Sequence, residues 1–167
     1  MKTKTASITK GATGSAMTSP LPLGIKSILV PIDFSPPSKK ALDYAVAVAR
    51  RFKAKLTLLH VVEPVATPDF AASFPLAMEN DELVATAKKH LGKVVKAARI
   101  PRAIVEKVLV RFGRSFHEIA DAARTRKVDL IIISTHGYTG LKHALLGSTT
   151  ERVVRHAHCP VLVVRQR

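Results

Sequence analysis

The sequence predicts an α/β fold: a five-stranded parallel, doubly wound sheet with strand order 3-2-1-4-5. Three observations predict it. Short apolar runs alternate five times with four amphipathic stretches, the pattern of repeated β-α-β units. The run Val128-Asp129-Leu130-Ile131-Ile132-Ile133 is β-branched and lacks polar alternation, as a strand buried on both faces does. It then breaks into Ser134-Thr135-His136-Gly137-Tyr138-Thr139-Gly140, and a helix start follows at Gly147-Ser148-Thr149-Thr150. Parallel pairing requires right-handed crossovers and puts helices on both faces.

The elements follow in order. Strand one is expected at Ile25 to Ile32 and helix one at Pro36 to Phe52, where Ala41, Leu42, Ala45, Val48, Ala49 and Phe52 recur at three- and four-residue intervals. Ser35 is its expected N-cap, with Pro36 at the first helical position. Strand two is expected at Lys55 to Val62, helix two from about Glu79 to Ala98 and strand three at Ala103 to Val110. Helix three spans Ser115 to Arg126, strand four Val128 to Ser134, helix four Ser148 to His156 and strand five Pro160 to Arg165. Ser115-x-x-Glu118 and Ser148-x-x-Glu151 both have capping-box form. The linker from Glu63 to Met78 carries Pro64, Pro68 and Pro75 with Phe70 and Phe74, and it exceeds an ordinary connection in length.

Length and composition fit one domain and a tail. The chain has 167 residues, 47% of them hydrophobic, with mean hydropathy +0.14. Residues 1–24 hold no acid, are rich in Lys, Thr, Ser, Ala and Gly, and are expected to be a disordered basic extension; the domain is 25–167. No apolar stretch approaches the ~18 residues that span a bilayer. The single Cys159 excludes an internal disulfide and suits a reducing cytoplasm.

The charge is 27 Lys+Arg against 12 Asp+Glu, formally +15. Only Lys2, Lys4 and Lys10 lie in the tail, so the domain is basic too. Much of the excess falls on Lys88, Lys89, Lys93, Lys96, Arg99 and Arg102, then on Arg111, Arg114, Arg124, Arg126 and Lys127. A solvated cationic face explains this spacing, and such a face also attracts nucleic acid without sequence preference.

In a doubly wound sheet, ligands sit beyond the carboxyl ends of the strands where the winding reverses. The ends of strands one and four meet there: Pro31-Ile32-Asp33-Phe34-Ser35 on one side and the Ser134 to Gly140 loop on the other. A helix starting at Gly147 directs unpaired N–H groups and its positive dipole end over that loop, which suits a phosphate. Asp33 also has a purely local role open to it, capping the turn that follows. Gly137, Gly140 and Gly147 have an equally local reading as loop and cap glycines. His136 is expected to make a structural hydrogen bond. His156-Ala157-His158-Cys159 has metal-ligating residue types, but residues two apart on a helix point to different faces, and the dipole explains a histidine at a helix C-terminus. No metal site is expected. Cys159 reads as a small apolar core residue. Walker, Gly-x-Ser-x-Gly and His-Glu-x-x-His patterns are missing, so a committed catalytic cycle is not indicated.

These residues resemble the universal stress protein family. Its nucleotide-binding members carry Gly, two residues, Gly, nine residues, Gly, then Ser or Thr. Here the same spacing reads Ser134, Thr135-His136, Gly137, Tyr138 to Leu146, Gly147, Ser148. The resemblance runs from about Ile25 to Arg165 and includes Ile28-Leu29-Val30-Pro31-Ile32-Asp33-Phe34-Ser35, Leu58-Leu59-His60-Val61, and Glu151-Arg152-Val153-Val154 leading to Cys159-Pro160-Val161-Leu162-Val163-Val164-Arg165. It implies a Rossmann-like fold of the adenine-nucleotide alpha-hydrolase-like kind, and a stress-linked switch or sensor that binds ATP or a related adenine nucleotide, with Mg²⁺ accompanying a triphosphate. By position, Pro31, Ile32 and Asp33 fall near the ribose and adenine end, Val61 offers a backbone contact to adenine, and Gly137, Gly147, Ser148, Thr149 and Thr150 surround the phosphates. Ser134 stands where the pattern has its first glycine, so nucleotide fit turns on that position. Two other readings stay open: a basic stress protein associating with nucleic acid over a weakened pocket, and a weak ATPase. Val161-Leu162-Val163-Val164 is too apolar for a bare edge, so a homodimer through Pro160 to Arg165 is expected, as the resemblance also implies.

Overall fold

The computed structural model describes residues 24–63, 76–135 and 147–165. Nine elements alternate among the described residues: β1 (Ser27–Pro31), α1 (Pro36–Phe52), β2 (Lys55–Val62), α2 (Leu76–Ala97), β3 (Val105–Phe112), α3 (Ser115–Thr125), β4 (Leu130–Ser134), α4 (Ser148–His156) and β5 (Val161–Val164). The strands form one sheet of order β3-β2-β1-β4-β5, every neighbour pair parallel. The winding therefore reverses between β1 and β4, as the sequence predicts.

The side-chain period of two explains why the central strands are apolar throughout. Ile28 and Val30 of β1, Leu56 and Leu58 of β2 and Ile132 of β4 pack with Leu42 and Ala45 of α1 and Leu91 of α2. Their alternates Leu29, Leu59, Ile131 and Ile133 pack with Ile119 and Ala122 of α3 and Val153 of α4. Burying both faces fixes the register, because a one-residue slip would exchange the two cores.

Ser35 caps α1 as predicted, its Oγ accepting from the Ser38 N–H at 3.3 Å. The capping boxes of the other two helices do not form. Arg114 and Gly147 occupy the N-cap positions, which places Ser115 and Ser148 at the first helical residue. At α3 a distant carboxylate does the capping instead: Glu63 Oε1 accepts from the Ser115 N–H at 2.7 Å. The predicted partner Glu118 is drawn to Arg111, 3.3 Å away. β4 begins two residues later than the apolar run because Asp129 has another task, its Oδ2 accepting from Lys26 and Ser27 N–H at 2.8 and 2.9 Å. β3 is displaced two residues toward the C-terminus, next to a register irregularity at Leu56/Thr57, and α2 starts at Leu76.

Candidate functional site

Three walls meet above the β1/β4 reversal. The first is the turn after β1. Asp33 Oδ1 accepts from the Ser35 N–H at 3.0 Å and from Ser35 Oγ at 2.5 Å, so it caps this turn. Its Oδ2 has no partner among the described residues and is available to a ligand; the two roles coexist. Phe34 is held at φ 65°, a conformation that costs a non-glycine residue about 1–2 kcal/mol. Its ring packs on His60 (centroids 4.5 Å) and edge-on to His90 (5.7 Å), contacts that sustain the strained turn. His60 Nδ1 lies 2.7 Å from the Ile32 carbonyl, and since a carbonyl only accepts, that nitrogen carries the hydrogen. The Ile32 N–H in turn donates to the Leu59 carbonyl at 2.8 Å.

The second wall joins the end of β4 to the start of α4. Thr150, buried, donates from Oγ1 to the Ser134 carbonyl at 2.7 Å, and the Gly147 N–H donates to the Thr135 carbonyl at 2.7 Å. These two bonds hold the N-terminus of α4 over the strand ends. No side chain among the described residues caps that terminus, so its first N–H groups and positive dipole end face outward. Gly147 sits at φ −68°, ψ 149°, a conformation open to any residue. Its dihedral angles do not require glycine, and glycine is among the residues favoured at an N-cap.

The third wall is Leu59 and Val61 of β2 with Ser115 and Ile119 of α3. The Glu63 carboxylate anchors α3 here, and the Ser115 hydroxyl and N–H hold its pKa below the ordinary carboxyl range. Together the walls enclose about 100 Å³. That is below the roughly 300–1,000 Å³ of a complete small-molecule pocket.

Of the residues singled out in the sequence, Pro31, Ile32, Asp33, Val61, Ser134, Thr149 and Thr150 line this crevice. Gly147 and Ser148 are not among its lining residues; they are the N-cap and first residue of α4, directly before Thr149 and Thr150. Gly137 lies outside the described residues, as do His136, Gly140 and the tail. Ser134 is 6% exposed. Sequence reasoning missed the positioning role of His60 and Glu63 and read Ser115 only as a cap. His156 donates from Nδ1–H to the Arg152 carbonyl in the last turn of α4, and no metal-binding cluster is found among the described residues. Cys159 is half-buried against the second core, and burial pushes its thiol pKa up.

The model of the universal stress protein family matches residues 24–165. The chain belongs to the universal stress protein family. It is 34% identical over 141 residues to Universal stress protein MJ0531 of Methanocaldococcus jannaschii, covering 84% of this chain and 82% of that protein. Among solved structures, UspA from Lactobacillus plantarum superposes with TM-score 0.70 at 32% identity, over 84% of this chain and 98% of that one. A universal stress protein solved in complex with cAMP shares the fold, with TM-score 0.57 at 22% identity, over 84% of this chain and 97% of that one. Among the described residues no helix is long and apolar enough to cross a membrane.

Proposed function

We propose that the β1/β4 crevice of this universal stress protein binds ATP or a related adenine nucleotide, and that the bound state makes the protein a stress-response switch or sensor in the cytoplasm. One observation carries the reading: Asp33, whose Oδ2 has no partner among the described residues, lines one crevice with Thr149 and Thr150 of the first turn of α4, a helix start that no described side chain caps. A carboxylate suits ribose hydroxyls, and a helix N-terminus suits phosphate. Gly147, free of any backbone need for glycine, lets phosphate oxygens approach the amides. The fold relative bound to cAMP supports an adenine nucleotide as the ligand class.

Mg²⁺ would travel with a triphosphate. It keeps several waters and needs only one or two carboxylates besides phosphate oxygens, and Asp33 is the one carboxylate lining the crevice among the described residues. The reading is of a binding module. Calorimetry tests it: Asp33→Ala and Gly147→Val should each weaken ATP binding at least tenfold while melting within a few degrees of wild type. If both variants bind as wild type does, the nucleotide site lies elsewhere.

The second part of the reading is assembly. β5 is the outermost strand, and Leu162 on it and Val154 on α4 are 40% and 48% exposed. Antiparallel pairing of two β5 edges about a two-fold axis would satisfy their open backbone groups.

A further inference from the structure

The +15 charge is not spread evenly over the fold. The ion pairs of the described residues join Arg111 to Glu118 and Asp121, Arg124 to Asp121, and Arg155 to Glu151, with His117 beside Glu118. All of them lie on β3's far end, α3 or α4. At the opposite flank, Lys89, Lys96, Arg99, Arg102 and Lys107 are exposed and enter none of these pairs. Glu106 is the one acid between Lys88 and Lys107.

Of these cations, Lys96, Arg99, Arg102 and Lys107 line a groove of about 920 Å³ between the C-terminal half of α2 and the edge strand β3. Lys89, Gly92 and Lys96 follow at three- and four-residue intervals and so share one stripe of the helix, and Arg99 lies in the turn just past its end. The floor is aliphatic, formed by Val95, Ile100, Val105 and Val108. Gly92 faces this groove, and a Cβ built on it meets nothing within 4 Å. Packing therefore does not explain a glycine that costs a helix about 1 kcal/mol relative to alanine. Charges do keep an edge strand from pairing with another, but the Glu106-Lys107 pair alone serves that end.

We propose that the α2–β3 groove is a docking surface for the phosphodiester backbone of duplex DNA. A row of cations with a single acid matches a regular polyanion and carries no base-reading geometry. The aliphatic floor offers no aromatic platform on which unpaired bases would stack, which disfavours single strands. It also lacks the Tyr and Trp anchors enriched in protein interfaces. The missing side chain at Gly92 leaves the helix surface open to the backbone. This surface lies apart from the β1/β4 crevice and shares no lining residue with it.

The test is fluorescence anisotropy of the full chain with a labelled 30-base-pair duplex between 50 and 200 mM KCl. Four groove contacts contribute a log–log salt slope of about −3.6, which weakens binding by about 150-fold over that range. Neutralising Lys96, Arg99, Arg102 and Lys107 to Gln should remove most of that slope and weaken binding at least tenfold at 100 mM. Neutralising Arg124, Lys127, Arg152 and Arg155, four exposed cations of the α3/α4 face, should change affinity less than threefold. Gly92→Glu, which has open space for its side chain and keeps the fold, should weaken binding at least fivefold. Equal losses in both quadruple variants, tighter binding of single-stranded DNA, equal competition by polyglutamate, or an unaffected Gly92→Glu would each overturn the proposal.

Discussion

Replacing Thr150 by Val tests how the head of α4 is held over the crevice. Val has nearly the shape of Thr but no hydroxyl, and at this 3% exposed position water has little access to replace it. The change deletes the 2.7 Å bond to the Ser134 carbonyl, which together with the Gly147–Thr135 bond holds the head of α4. A buried hydrogen bond is worth about 0.5–1.5 kcal/mol, so a loss of about 1–1.5 kcal/mol is expected at this buried site. For a domain of this size that lowers Tm by roughly 3–8 °C. Thr149 is the control, since it lines the same crevice and has no hydrogen bond among the described residues. Thr149→Val should melt within about 1 °C of wild type while weakening ATP binding. Scanning calorimetry on both variants, with ATP titrations at 25 °C, separates the two roles. A Thr150→Val protein that melts as wild type does would refute the tether.

Glu63 gives a pH dependence of definite sign. Its folded pKa is depressed by the Ser115 hydrogen bonds, so its stabilisation is complete above the unfolded value of about 4.3 and is lost as pH falls through the folded value. The urea midpoints of wild type and Glu63→Gln should differ most at pH 6, and the gap should narrow as pH falls below the unfolded value; a gap that does not change with pH would dismiss the cap. Ser134→Gly restores the family's first glycine and should bind ATP at least as tightly as wild type, whereas a clear loss would make the serine side chain a ligand contact. Leu162→Lys puts a charge on an exposed edge position and should sediment as monomer at micromolar concentration where wild type sediments as dimer. A monomeric wild type, or a dimeric variant, would remove β5 from the interface.

The sheet order was legible because both faces of the central strands are buried, which writes Leu29-Val30 and Ile131-Ile132 as unbroken apolar runs. The crevice was legible because topology alone brings the end of β1 to the end of β4. Local caps were not, since a Ser-x-x-Glu pattern records short-range chemistry only. At α3 the carboxylate that wins comes from Glu63, 52 residues earlier. Asp129 misled the strand boundary for the same reason: its partners, the N–H groups of Lys26 and Ser27, are about a hundred residues away in sequence. His60 looked like one more residue of an apolar strand. Only the fold shows its ring reaching across to the Ile32 carbonyl.

The most direct measurement is an amide-resolved NMR titration of the ¹⁵N-labelled chain with ATP and Mg²⁺. The account predicts that the largest, saturable shifts fall together on Asp33, Val61, Ser134 and the first turn of α4 from Ser148 to Thr150, and that Gly147→Val abolishes them. Shifts confined to the α2–β3 groove, or none at millimolar ATP, would contradict a nucleotide site between β1 and β4.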